Sequence, residues 1–280
     1  MRSSIDASDR VERIDQVDPL QDLGPGARNR FVVRPESIER HSPFVLLVED
    51  FIAPGADFHP HPHRGFETVT FVLDGAMEHA DSAGTEGVAA AGGVLWMTAG
   101  SGIVHGGRPV GSRPVHALQL WMALPRALRA SAPGTREQPQ ARALLRHGEN
   151  ASARVYGAAS VAVGDADWSR WPMTLTDVHL EQAGRFSLAL RGQERSFLYV
   201  LDGTVSVDDG APHKAGEILW FAPPASDAPV VLRASDAARC VHYSAVPIAE
   251  PMVTRGPFVM GSEAELAAAL ADLRSGRFRP

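Results

Sequence analysis

The sequence predicts an all-β chain built as two tandem barrels, and three observations carry that prediction. Short runs of β-branched and aromatic residues, such as Thr68-Val69-Thr70-Phe71-Val72-Leu73, stop at turn signals like Asp74-Gly75. The pattern then repeats. Phe71-Val72-Leu73-Asp74-Gly75 has its counterpart in Tyr199-Val200-Leu201-Asp202-Gly203, and Ala91-Gly92-Gly93-Val94-Leu95-Trp96-Met97 in Ala215-Gly216-Glu217-Ile218-Leu219-Trp220-Phe221. Between the copies, Pro125 to Gln140 holds Pro, Ala, Arg and Ser with no strand period. Composition agrees: 26 Gly and 21 Pro in 280 residues fit many short strands and turns better than a helical bundle.

Taken in order, residues 1–26 are a polar arm ending in Leu23-Gly24-Pro25-Gly26, either mobile or strapped across its own or a partner's surface. Residues 27–124 form the first barrel, with strands expected at Phe31 to Val33, Phe44 to Phe51, Thr68 to Leu73, Met77 to Ser82, Gly92 to Met97 and Val115 to Met122. Residues 125–150 are the linker and 151–247 the second barrel. In the tail, 248–280, Ser262-x-x-Glu265 is a capping box. It opens a helix whose apolar positions include Leu266, Ala269, Leu270 and Leu273, with Gly276 near its end. A helix with one apolar stripe should pack on a barrel.

Net charge is −6, and no dense Lys/Arg block is present, so direct nucleic-acid binding is not expected. The single cysteine, Cys240, excludes an intramolecular disulfide framework. It sits in the strand-like Arg239-Cys240-Val241-His242-Tyr243 and reads as a buried, inert thiol. The N-terminus has no apolar signal region, and no apolar run approaches the ~18 residues that span a bilayer. The expectation is a cytoplasmic protein that does not enter membranes.

The chemistry concentrates between His59 and His105. His61 and His63 are two apart, so on a strand both imidazoles share a face. His105 comes from a separate strand end, which is how a barrel gathers a third ligand. A lone histidine is more often a satisfied loop side chain, but His-x-His followed by a strand–Gly–strand repeat and a third histidine points to a metal pocket. His59 and Glu67 share the same parity, although parity means little across alternating prolines. His79 reads as a neighbouring or surface group. The repeat supplies a control: the second copy puts Ala189 at the place of His61, Arg191 at that of His63 and Arg195 at that of Glu67. The fold pattern survives in both halves and the ligand pattern only in the first.

His61-Pro62-His63-Arg64-Gly65-Phe66-Glu67-Thr68-Val69-Thr70, Asp81-Ser82 and Trp96-Met97-Thr98-Ala99-Gly100-Ser101-Gly102-Ile103-Val104-His105 together resemble the pirin family, as do Gly256-Pro257-Phe258-Val259-Met260 and Gly276-Arg277-Phe278 in the tail. The resemblance covers roughly residues 30–280. It implies a bicupin, two double-stranded β-helix barrels with a short C-terminal helix. A mononuclear metal, usually iron, is expected in the first barrel. It further implies either a quercetin 2,3-dioxygenase-type activity on a small aromatic or flavonol-like substrate, or a regulatory role through a protein partner such as a transcription factor or metabolic enzyme. His61, His63 and His105 match the family's histidine ligands. The family's fourth ligand, a glutamate two positions after the last histidine, is Gly107 here. Either Glu67 replaces it as a ligand or the site is three-His completed by water; imidazole suits Fe(II), Ni(II) and Zn(II) alike, and the resemblance puts Fe(II) first. The missing carboxylate is also the family's base, so Glu67 becomes the candidate catalytic group, with His59 as the alternative substitute and another reaction class on a three-His metal as a third reading. Position 107 should face the pocket mouth, where Gly107→Glu is expected to restore the ligand.

Overall fold

The computed structural model describes residues 10–157, 168–276 and 278. Residues 1–9 of the arm, 158–167 of the second barrel range, and 277, 279 and 280 of the tail lie outside the described residues. The chain divides into two compact units, one taking residues 18–141, 168–170 and 248–280, the other 1–17, 142–167 and 171–247. Each unit therefore completes itself with the far end of the chain.

Among the described residues the first unit holds two large antiparallel sheets and a two-stranded one in the tail. The larger runs in the order Gly134–Gln138, Val94–Thr98, Phe66–Asp74, Val115–Ala123, Phe44–Ile52, Ala27–Val33, Gln21–Gly24. The smaller runs Phe58–His63, Ile103–Pro109, Ala76–Asp81, Glu86–Ala90. Phe66–Asp74 lies in the middle of the larger sheet and is buried on both faces, which is why its sequence is an unbroken β-branched and aromatic run. The repeat read from sequence recurs in strand register. Phe71 pairs with Val94 in this unit, and Tyr199 with Ile218 in the other.

Among the described residues the second unit is a single sheet, in the order Val11–Gln16, Glu217–Phe221, Arg195–Asp202, Ala238–Ala245, Met173–Leu190, Ala228–Arg233, Thr204–Val207, Pro212–Lys214, with Leu144–Gly157 paired to Met173–Leu190. Its core gathers Val178, Leu188, Leu198, Val200, Leu219 and Cys240. Burial pushes the Cys240 thiol up to about 12, so it is protonated and inert.

The arm and the linker both contain strands that the sequence reading did not name. Val11–Gln16 of the arm is a strand against Glu217–Phe221, and Asp15 accepts a hydrogen bond from Trp220 Nε1 at 2.9 Å. The linker contains Gly134–Gln138, which covers the edge of Val94–Thr98, and the strand Leu144–Gly157 also begins within it. Both pieces answer a sheet edge's need for partners more than any apolar alternation of their own.

The tail forms the hairpin Val253–Arg255 and Phe258–Met260, then the helix Glu263–Arg274. Ser262 Oγ accepts from Glu265 N at 3.2 Å, the cap that the sequence encodes, and the Glu265 carboxylate accepts from the N–H of Gly261, one residue before the N-cap, at 2.9 Å. Leu266 and Ala269 are buried against Phe258, with Leu270 partly covered. Leu273, expected on the same stripe, is 37% exposed.

Candidate metal centre

The smaller sheet of the first unit builds the site. Phe58–His63 pairs antiparallel with Ile103–Pro109 so that His61 stands directly opposite His105 and His63 opposite Ile103. Directly opposed residues project to the same face, and His63 is two residues along from His61. Register alone therefore converges the three imidazoles. Their ring centroids are 4.8 Å (His61–His63), 4.4 Å (His61–His105) and 5.0 Å (His63–His105) apart, and one nitrogen from each lies within 4.8 Å of the others.

Hydrogen bonds orient two of the rings. His61 Nδ1 is 2.9 Å from the His59 carbonyl and His63 Nδ1 is 3.4 Å from the Pro257 carbonyl. A carbonyl only accepts, so each Nδ1 carries the proton and each Nε2 keeps its lone pair. His63 Nε2 and His105 Nε2 are buried with no hydrogen-bond partner. Burial, reinforced by the neighbouring imidazoles, pushes His63 down to about 2 and His105 to about 3, so both are neutral. Buried lone pairs left unpaired are costly. Two such unpaired ring nitrogens on neutral imidazoles, beside a third imidazole, are what a metal of borderline softness would satisfy.

A cavity of about 310 Å³ adjoins the cluster, with His61 and His105 in its wall beside apolar Phe31, Leu46, Val48, Leu95 and Trp121. The wall also carries Asp50 and His79. His79 is buried and donates from Nε2 to Glu137 at 2.6 Å. Asp50 is the group that the sequence reading missed. It is 7% exposed, and burial raises its carboxyl to about 7 against the opposing hydrogen bond from Asn29. The signal was the pair Glu49-Asp50 inside the apolar strand Phe44–Ile52. Alternation sends Asp50 to the cavity and Glu49 to the opposite face, where Arg30 and His116 bind it at 2.6 and 2.7 Å.

The other sequence candidates lie elsewhere. Glu67 shares sequence parity with His61 and His63, but the chain changes sheets at Arg64-Gly65, where Gly65 has φ +89°. In its new strand Glu67 alternates away from Thr70, which lines the cavity. Its carboxylate accepts from Thr98 Oγ1 at 2.6 Å, Ser169 Oγ at 2.5 Å and Arg170 N at 2.9 Å. The His59 side chain is 89% exposed and contacts Asp57. Gly107 does line the cavity, but a Cβ there would meet the Glu78 carbonyl oxygen at 2.5 Å. The glycine is thus matched to the close approach of the neighbouring strand.

The Pirin family model matches residues 27–122, and the Pirin C-terminal cupin domain model matches residues 175–279. The chain is 32% identical over 261 residues to Pirin from Mus musculus, covering 92% of this chain and 90% of that protein. A crystal structure of quercetin 2,3-dioxygenase from Acinetobacter baumannii is similar at 25% identity and TM-score 0.81, covering 95% of this chain and 96% of that one. Bacterial pirin YhhW from Escherichia coli, solved in complex with nickel(II), shares the fold at TM-score 0.65 and 18% identity, covering 84% of this chain and 100% of that one.

Proposed function

Because the chain belongs to the pirin family of two-domain cupins, we propose that it is a metal-dependent dioxygenase acting on a small hydroxylated aromatic of the flavonol type. The observation that carries this reading is the set of three imidazoles, two with orphaned buried Nε2 atoms, beside a mostly apolar cavity. A metal held by His61, His63 and His105, with Fe(II) first and Ni(II) or Zn(II) as alternatives, would act as a Lewis acid that lowers the pKa of a substrate hydroxyl.

The protein's own groups supply the rest. Phe31, Leu46, Val48, Leu95 and Trp121 offer an aromatic ring dry walls, and about 310 Å³ is at the small end of the ~300–1,000 Å³ usual for ligand pockets. Asp50 takes the hydroxyl proton. A carboxyl held near 7 is close to the ideal for a base at neutral pH, and such a base contributes ~10²–10⁴-fold in rate. In this scheme Asp50 does what the family's missing glutamate would do, and Glu67 anchors the Trp168–Arg170 segment through Ser169 and Arg170. Pro257 holds the His63 ring in its tautomer.

Gly107 supports a second reading, a metal-containing regulatory protein with a protein partner, because the fourth ligand position has no room for a side chain. Metal analysis followed by oxygen uptake with quercetin separates the two. Wild type reconstituted with each metal should hold one ion per chain and consume oxygen, and His61→Ala with His63→Ala should lose both. Full metal occupancy in the double variant would sink the ligand assignment. Stoichiometric metal in wild type without uptake would put the regulatory reading first.

A further inference from the structure

The second unit has a cavity of its own, about 680 Å³, larger than the one beside the histidine cluster. Its wall includes His242, which is 1% exposed and has neither ring nitrogen hydrogen-bonded. The ring stands in register with Thr176 on one side and Leu198 on the other. One step inward along the strands the neighbours are Val178, Cys240 and Val200, all apolar. One step outward they are Thr174, Ser244 and Ser196, all hydroxyl-bearing. His242 thus sits where a dry core meets a polar opening. Burial pushes it down to about 3, so it is neutral and offers one donor and one acceptor.

The repeat gives this position a meaning. Thr70 pairs with Gln119 in the first unit, and Leu198 pairs with His242 in the second. Gln119 and Thr70 line the cavity beside the three histidines. His242 therefore occupies the corresponding wall position of the second barrel, where no cluster of three metal-ligating side chains stands among the described residues. In their stead the cavity has Arg146, Arg185 and Arg191, of which Arg191 falls where the repeat places His63. All three are exposed, against one carboxylate, Glu149, and none forms an ion pair with a described residue. Apolar Phe186, Leu188 and Val231 complete the wall.

We infer that the C-terminal barrel binds a small organic carboxylate, its charged end on the rim arginines, its apolar body against Phe186, Leu188 and Val231, and a polar substituent at His242. Guanidinium groups bind carboxylates through paired, charge-assisted hydrogen bonds. An amphipathic acid is the ligand class that uses all three kinds of wall at once. The repeat thus carries two cavities of different chemistry, one built on neutral imidazoles and one on guanidinium groups.

Calorimetric titration of the full chain with benzoate, 4-hydroxybenzoate and 3-phenylpropionate tests this, with methyl 4-hydroxybenzoate as the uncharged control. At least one acid should bind saturably at one per chain, and equally well to the His61→Ala, His63→Ala double variant, which separates this site from the metal centre. Arg185→Ala with Arg191→Ala should weaken binding at least tenfold, as should replacing the acid by its ester. His242→Gln, which copies the first barrel's Gln119, should keep the fold and change the preference between benzoate and 4-hydroxybenzoate. Absence of saturable binding by any acid overturns the inference. So does binding that is indifferent to the arginines, or binding lost only in the histidine double variant.

Discussion

Asp50→Asn tests the balance of forces at the cavity most directly. Moving a carboxyl from an ordinary 3.8 to about 7 at 1.36 kcal/mol per pH unit corresponds to about 4 kcal/mol. The sign follows from proton counting. Between pH ~4 and ~7 the folded protein keeps the Asp50 proton and the unfolded chain has lost it, so unfolding releases a proton and stability falls as pH rises. Below that window both states are protonated and nothing is lost. Above it both are ionised and the full penalty stands. Asparagine has nearly the same shape and never ionises, so the variant should match wild type near pH 4. It should then exceed wild type by a margin that grows to about 4 kcal/mol by pH 8, a large share of the ~5–15 kcal/mol of a typical domain. Urea unfolding of metal-free protein from pH 4 to 8.5, plotted as variant minus wild type, reads this difference directly. The same variant should hold metal and lose oxygen uptake. A difference that stays flat across pH 4–7 would show that Asp50 ionises like any exposed carboxyl, and the proposed base would be lost with it.

Gly107→Glu should cost stability, about 1–3 kcal/mol as overpacking usually does, because its Cβ would lie 2.5 Å from the Glu78 carbonyl oxygen. Tighter Fe(II) binding with an unchanged melting temperature would contradict this and restore the simpler expectation that a fourth ligand can be put back. Truncation before Ser262 removes Leu266, whose full burial contributes about 1.5–3 kcal/mol, along with Ala269. Thermal unfolding should shift down by several degrees, and an unmoved transition would mean that the helix contributes nothing to the first unit.

Much of the fold was written in the sequence because strands buried on both faces announce themselves. Phe66–Asp74 and its repeat counterpart Arg195–Asp202 are such strands, and their pairing with Val94–Thr98 and Glu217–Phe221 matches residue for residue. The histidine cluster was legible for the same reason, since His-x-His fixes a face whatever the rest of the chain does. Edge strands were not legible. Gly134–Gln138 and Val11–Gln16 answer to their neighbours' unpaired backbone groups, and their own side chains hardly alternate in polarity. Glu67 shows the limit of parity, which holds within a strand and lapses where the chain turns from one sheet to another at Gly65. Asp50 was hidden because an acid in an apolar strand reads as a surface residue until the strand's two faces are known.

The termini carry a consequence for how the protein matures. Pro257, whose carbonyl steadies His63, is 194 residues downstream of it, and Val11–Gln16 finds its partner strand about 200 residues later. During synthesis the N-terminal half emerges first, at ~5–20 residues per second, and waits for both contacts. Such long sequence separations slow folding. They also leave the histidine cluster unfinished until late, because a chain stopped before Pro257 has the three imidazoles but lacks the carbonyl that sets the tautomer of His63.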